Sequence, residues 1–96
     1  MNPQIEKMKG TIIKVLEKHG VRKAFVFGSY AHGDETPESD IDLLVEFEQR
    51  KSLLGHIKAE NELSDKLGIK VDMLTEQAIS PYLIDRIKND MEVIYP

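Results

Sequence analysis

The chain has no cysteine, which excludes disulfides and thiolate-bound metals. No apolar run approaches the roughly 20 residues needed to span a bilayer. The opening Met1-Asn2-Pro3-Gln4-Ile5-Glu6 carries neither the basic nor the apolar region of a secretory leader, so a cytoplasmic location is expected. No linker, internal repeat or low-complexity tract interrupts the 96 residues, and one domain over 1–96 is expected. Lys and Arg are absent from Ala24 to Gln49, a stretch that holds seven acids. With a net charge of −4, the chain lacks the clustered Lys and Arg that tight, non-specific nucleic-acid binding requires. An acidic protein can still handle a single nucleotide if metal ions supply the positive charge.

What is present has a regular pattern. Ile5, Met8, Ile12, Ile13 and Leu16 recur at helical spacing, predicting a helix over 4–18, with Pro3 in its first turn and Gly20 past its end. Ala24-Phe25-Val26-Phe27 reads as a strand that stops at Gly28, and Tyr30 to His32 as a single helical turn. Asp34 to Ser39 reads as a polar loop. Over 40–47 the apolar residues alternate: Ile41, Leu43, Val45 and Phe47 take one face, and Asp40, Asp42, Leu44 and Glu46 the other. A second long helix is expected over 53–67, ended by Gly68, and a third strand over 70–74. Ser80-Pro81 suits the start of a last helix lined by Leu83, Ile84, Ile87 and Met91, and Glu92 to Tyr95 suits a terminal strand. Strands alternating with helices indicate an α/β sheet with helices packed against it.

The chemistry concentrates between Gly28 and Val45 and at Asp72. Residues two apart on a strand share a face, so Asp40 and Asp42 project together. Two neighbouring carboxylates repel, and a cation between them relieves the repulsion. Mg²⁺ or Mn²⁺ suits such oxygen ligands and also binds triphosphate. Val71 and Met73 take the apolar side of their strand, so Asp72 emerges opposite. If that strand lies beside the second, Asp72 completes a site for two metal ions of the kind that clamp the attacking and leaving oxygens of an in-line displacement. Gly28-Ser29, between a strand and a helical turn, lets phosphate approach the backbone while Ser29 adds a hydroxyl donor.

Singly, these features are common: an Asp-x-Asp is usually a solvated strand end and a Gly-Ser a plain turn. Their combination on matching faces carries the reading. Tyr30 is expected to pack locally. His19 and His56 are expected at the surface, and Arg50, Lys51 and Lys58 read as a solvated basic cluster. A P-loop fails because Asp34 stands where its lysine belongs, and an EF-hand fails because Leu44 replaces an oxygen ligand.

Gly28-Ser29, ten intervening residues and Asp40-x-Asp42 resemble the signature of the DNA polymerase β-like nucleotidyltransferase superfamily. The run Gly28-Ser29-Tyr30-Ala31-His32-Gly33 and the small size resemble the minimal nucleotidyltransferases, antitoxins that pair with HEPN-domain toxins. That resemblance implies a palm-like fold, a small mixed sheet flanked by helices. It implies phosphate contact at Gly28 and Ser29, metal at Asp40 and Asp42, and a third carboxylate at Asp72 that activates the nucleophile. His32 stands where many relatives carry arginine. The activity implied is transfer of AMP from ATP to a tyrosine of the toxin. In so short a chain the acceptor must come from a partner or a second copy. The alternative is a non-catalytic antitoxin that neutralises its partner by contact alone.

Overall fold

The computed structural model describes residues 3–49 and 52–95. Arg50 and Lys51, two members of the basic cluster read from the sequence, lie outside the described residues, while Lys58 is exposed on a helix. The elements run α1 (Pro3–Lys18), β1 (Val21–Phe27), α2 (Ser29–His32), β2 (Ile41–Phe47), α3 (Leu53–Leu67), β3 (Val71–Leu74), α4 (Pro81–Asp90) and β4 (Glu92–Tyr95), with a short 3-10 turn at Glu76–Ala78. The strands form one mixed sheet in the order β3-β2-β1-β4. β1 is antiparallel to both β2 and β4, whereas β2 and β3 run parallel.

The helical spacing read in α1 is the spacing that is buried: Ile5, Ile12 and Leu16 are fully enclosed. They meet Val26 from β1, Ile41 and Leu43 from β2, Met73 from β3, Ile94 from β4 and Leu63 from α3 in one core. At about 2 kcal/mol per fully buried aliphatic side chain, this layer is the main favourable term of the fold. Lys18 and His19, at the end of α1, both reach Glu62 of α3, at 3.1 and 3.0 Å. Hydrogen bonds from His19 and then Lys18 hold the Glu62 carboxyl below its ordinary range.

The ends of the elements follow their local chemistry. The Ser52 hydroxyl accepts from the Gly55 N–H at 3.1 Å and starts α3, and Gly68 in the left-handed region ends it. The Ser80 side chain accepts from the Tyr82 N–H and Pro81 takes the first turn of α4, as the sequence predicts. Ile84 and Ile87 of α4, and Met91 just past its end, are half-buried, but Leu83 is 49% exposed, so the helix sits at the rim rather than in the core.

Two expectations need correction. β1 begins at Val21 rather than Ala24, because a bulge places both Arg22 and Lys23 outward and hides the alternation. Arg22 then pairs with Glu46 on the neighbouring strand. His19 and His56 are not plain surface residues: both are half-buried and hydrogen-bonded, His19 to Glu62 and His56 to the Met73 carbonyl oxygen. Tyr30 packs locally as expected. It is buried, and burial followed by the nearby Glu35 charge raises its hydroxyl pKa, so it serves α2 as a neutral anchor.

Candidate active site

Helices α1 and α3 occupy one face of the sheet, and the alternation of β2 sends Asp42 to the other. In the parallel ladder Ile41 pairs with Val71, Asp42 with Asp72 and Leu43 with Met73. Ile41, Leu43, Val71 and Met73 are buried in the core while the two aspartates between them are half-buried on the opposite face. The condition that the third strand neighbour the second is therefore met, with both aspartates at the same level. Asp40 precedes β2 by one residue and lies level with Lys70, which precedes β3. The Ile41 N–H donates to the Lys70 carbonyl oxygen at 2.9 Å, and Lys70 Nζ stands 3.8 Å from Asp40 Oδ2.

The electrostatics agree with this convergence. Burial, then the charge of Asp72, then that of Asp40, raise the Asp42 pKa above its ordinary value. The Asp42 carboxylate thus sits in a field of like charge that a cation would relieve. The donor set is all oxygen, the set that Mg²⁺ and Mn²⁺ select. Among the described residues no group of three His, Asp or Glu side chains is gathered closely enough to enclose an ion. The three carboxylates are neighbours rather than a preformed cage, and the fit to such a metal rests on their all-oxygen donor set and on the like charge around Asp42.

Gly28 closes the site from β1. Its partner in sequence, Phe27, pairs with Asp42 across the antiparallel ladder. Gly28 has φ 75° and ψ −150°, a conformation open in practice only to glycine. A Cβ added there would lie 2.5 Å from Asp42 Oδ2. The glycine is thus needed twice, for the backbone path into α2 and for the space that the Asp42 carboxylate occupies. Ser29 follows as the first residue of α2, and the Gly28 carbonyl oxygen accepts from the N–H groups of Ala31 and His32 at 3.0 and 3.1 Å. His32 Nε2 stands 3.5 Å from Asp90 Oδ2, tying α2 to the end of α4.

The structure therefore brings Gly28, Asp42 and Asp72 together, with Asp40 at the near end of the same strand and Ser29 beside Gly28. Lys70 is a neighbour the sequence reading missed. Its signal was its place two residues before Asp72, which matters once β2 and β3 are known to be parallel and in register. An open cleft of about 950 Å³ begins at Phe25 and Leu44, two pairs along the ladder from Phe27 and Asp42, and extends to His56 and Thr75; none of the candidate site residues lines it.

The nucleotidyltransferase domain family model matches residues 9–94. A Methanocaldococcus jannaschii protein named "putative protein adenylyltransferase" is 49% identical over 86 residues, spanning 90% of this chain and 92% of the relative. The protein adenylyltransferase MntA of Thermococcus cleftensis is 38% identical over 79 residues, spanning 82% and 78% of the two chains. Among solved structures, a "putative minimal nucleotidyltransferase" superposes with TM-score 0.81 at 30% identity, covering 96% of this chain and 95% of its own. A chain from the complex of a tri-AMPylated Shewanella oneidensis HEPN toxin with its MNT antitoxin superposes with TM-score 0.74 at 20% identity. It covers 94% of this chain and 71% of its own, and at that identity it shows the shared fold alone. With the matched region running from within α1 into β4, and with relatives that include proteins named protein adenylyltransferases, the chain belongs to the nucleotidyltransferase domain family.

Proposed function

We propose that the chain transfers AMP from ATP to a hydroxyl, most simply a tyrosine, of a HEPN-domain toxin, acting in the cytoplasm as that toxin's antitoxin. The supporting observation is the level pairing of Asp42 with Asp72 on the open face, with Gly28 set against Asp42. Relatives named protein adenylyltransferases support the donor, and the AMPylated toxin held by an MNT antitoxin of the same fold supports the acceptor class.

In this reading Asp40, Asp42 and Asp72 would hold two Mg²⁺ or Mn²⁺ ions. When bound, the ions neutralise the triphosphate and stabilise the charge that develops on the departing pyrophosphate. The chain's own residues do the rest. Gly28 leaves the backbone open to the phosphates and Ser29 donates to them through its hydroxyl. Asp72 orients the acceptor hydroxyl and takes its proton. The acceptor oxygen then forms its bond to the α-phosphorus as the bond from that phosphorus to the bridging oxygen of pyrophosphate breaks.

The test is direct. The chain is incubated with a HEPN-domain toxin encoded beside it, Mg²⁺ and ATP, and the toxin is weighed by intact mass spectrometry. An AMP increment that is absent with Asp42→Asn supports the enzyme. A tight complex with no increment, unchanged by Asp42→Asn, identifies a contact-only antitoxin and overturns the proposal.

A further inference from the structure

β3 is an edge strand only four residues long, yet it carries Asp72. One side of it pairs with β2. Along a strand, successive residues direct their N–H and C=O groups to opposite sides, so Asp72 bonds toward β2 while Val71 and Met73 turn theirs toward the free edge. An edge left that way frays and invites foreign strands. Here it is closed by side chains of α3. The Val71 N–H donates to Ser64 Oγ at 2.9 Å, the Met73 N–H to Glu60 Oε2 at 2.7 Å, and His56 Nε2 bonds the Met73 carbonyl oxygen at 2.6 Å. Because that oxygen only accepts, His56 carries its proton on Nε2. Ser64 Oγ in turn donates to the Glu60 carbonyl oxygen at 2.9 Å, and the His56 ring lies against Phe47, with centroids 5.7 Å apart.

Residues 56, 60 and 64 fall four apart and so share one stripe of α3. That stripe imitates the missing neighbour strand, offering an acceptor, an acceptor and a donor in the order the edge requires. The same helix buries Ala59 and Leu63 in the core, so its position is fixed by packing.

We infer that Glu60 and His56 are positioning residues for the transfer reaction. They fix the Met73 peptide groups and thereby the height of Asp72 beside Asp42, without touching nucleotide or acceptor. This rests on the functional reading given above. Since Asp40 and Asp42, the main holders of the nucleotide's metal in that reading, are carried by β2 while β3 carries Asp72, which also serves the acceptor hydroxyl, loosening β3 slows turnover far more than it weakens nucleotide affinity.

The experiment compares Glu60→Ala, Glu60→Gln and His56→Ala with the wild-type chain, well below the melting temperature of each. Supporting partners of active-site carboxylates are typically worth about 10- to 100-fold. Glu60→Ala is therefore expected to lower kcat by about 10-fold or more with KM for ATP within about twofold, and His56→Ala to act the same way. Glu60→Gln keeps an oxygen acceptor for the Met73 N–H and is expected to recover most of kcat. Hydrogen exchange provides a readout independent of activity: in Glu60→Ala the Met73 amide should exchange faster while the Leu44 amide, which faces β1, stays protected. An unchanged Met73 exchange rate in Glu60→Ala overturns the inference, as does full kcat in Glu60→Ala and His56→Ala despite a freed Met73. Failure of the wild-type chain itself to transfer AMP counts against the functional reading, and Met73 exchange still decides whether the clamp holds.

Discussion

Replacing Gly28 by alanine separates the two demands this glycine meets. The new Cβ would stand 2.5 Å from Asp42 Oδ2 and 3.4 Å from its Cγ, so the carboxylate must retreat by about 1 Å to regain ordinary contact. The backbone, at φ 75° and ψ −150°, adds a conformational cost of about 1–3 kcal/mol for any residue with a side chain. A 1 Å misplacement of a catalytic group costs on the order of 100-fold in rate. Gly68→Ala supplies the control. Gly68 is also left-handed, at φ 68°, but an added Cβ meets nothing within 4 Å and the residue lies at the far end of α3's exit. Gly68→Ala should cost about 1 kcal/mol of stability and leave the rate of AMP transfer unchanged. Gly28→Ala should lose stability and about 100-fold in rate as well. Urea melts give the first quantity and intact-mass time courses on the partner protein give the second. Wild-type turnover in Gly28→Ala, or an equal loss in Gly68→Ala, would refute the claim that Gly28 makes room for Asp42.

Asp42→Asn should raise stability at pH 7 while abolishing transfer. The sign follows from the raised pKa of Asp42: its favourable contribution is complete below the unfolded carboxylate value and is lost as pH rises through the folded one. The advantage of the Asn variant should therefore shrink as pH falls through the raised folded pKa and be gone below about 4, and urea melts across that range check it. By linkage, Mg²⁺ with a nucleotide should raise the melting temperature of the wild-type chain and not that of Asp42→Asn, which thermal scans at matched ionic strength would show. In the core, Ile12→Ala should cost about 2–5 kcal/mol, since Ile12 is fully enclosed between helix and sheet. A loss below about 1 kcal/mol would mean that α1 packs less tightly than its burial indicates.

Much of this was legible because strand alternation and helical spacing are local. Ile41 and Leu43 point inward, so Asp42 must point outward, and no tertiary knowledge is needed to see it. The ends of α3 and α4 were readable from Ser80-Pro81 and Gly68 for the same reason. The bulge in β1 was not readable, because an extra residue breaks the period on which the reading relies. The adjacency of β3 to β2 is a choice of sheet order, and with it went the pairing of Asp42 with Asp72 and the neighbourhood of Lys70. The stripe His56, Glu60, Ser64 looks in sequence like a solvated helix face. Only the position of an unpaired strand edge turns it into a set of hydrogen-bonding partners. Gly28 announces a turn, but the nearness of the Asp42 carboxylate depends on the register of β1 against β2.

The central claim is that the carboxylates on the open face gather divalent metal onto a nucleoside triphosphate. Crystals grown with Mn²⁺ and a non-hydrolysable ATP analogue would show the ion by its anomalous scattering. The account predicts peaks bounded by the Asp40 and Asp42 carboxylates, with the triphosphate beside Gly28 and Ser29 and Asp72 turned toward the same metal. A triphosphate seated without an ion, or manganese bound away from these aspartates, would contradict it.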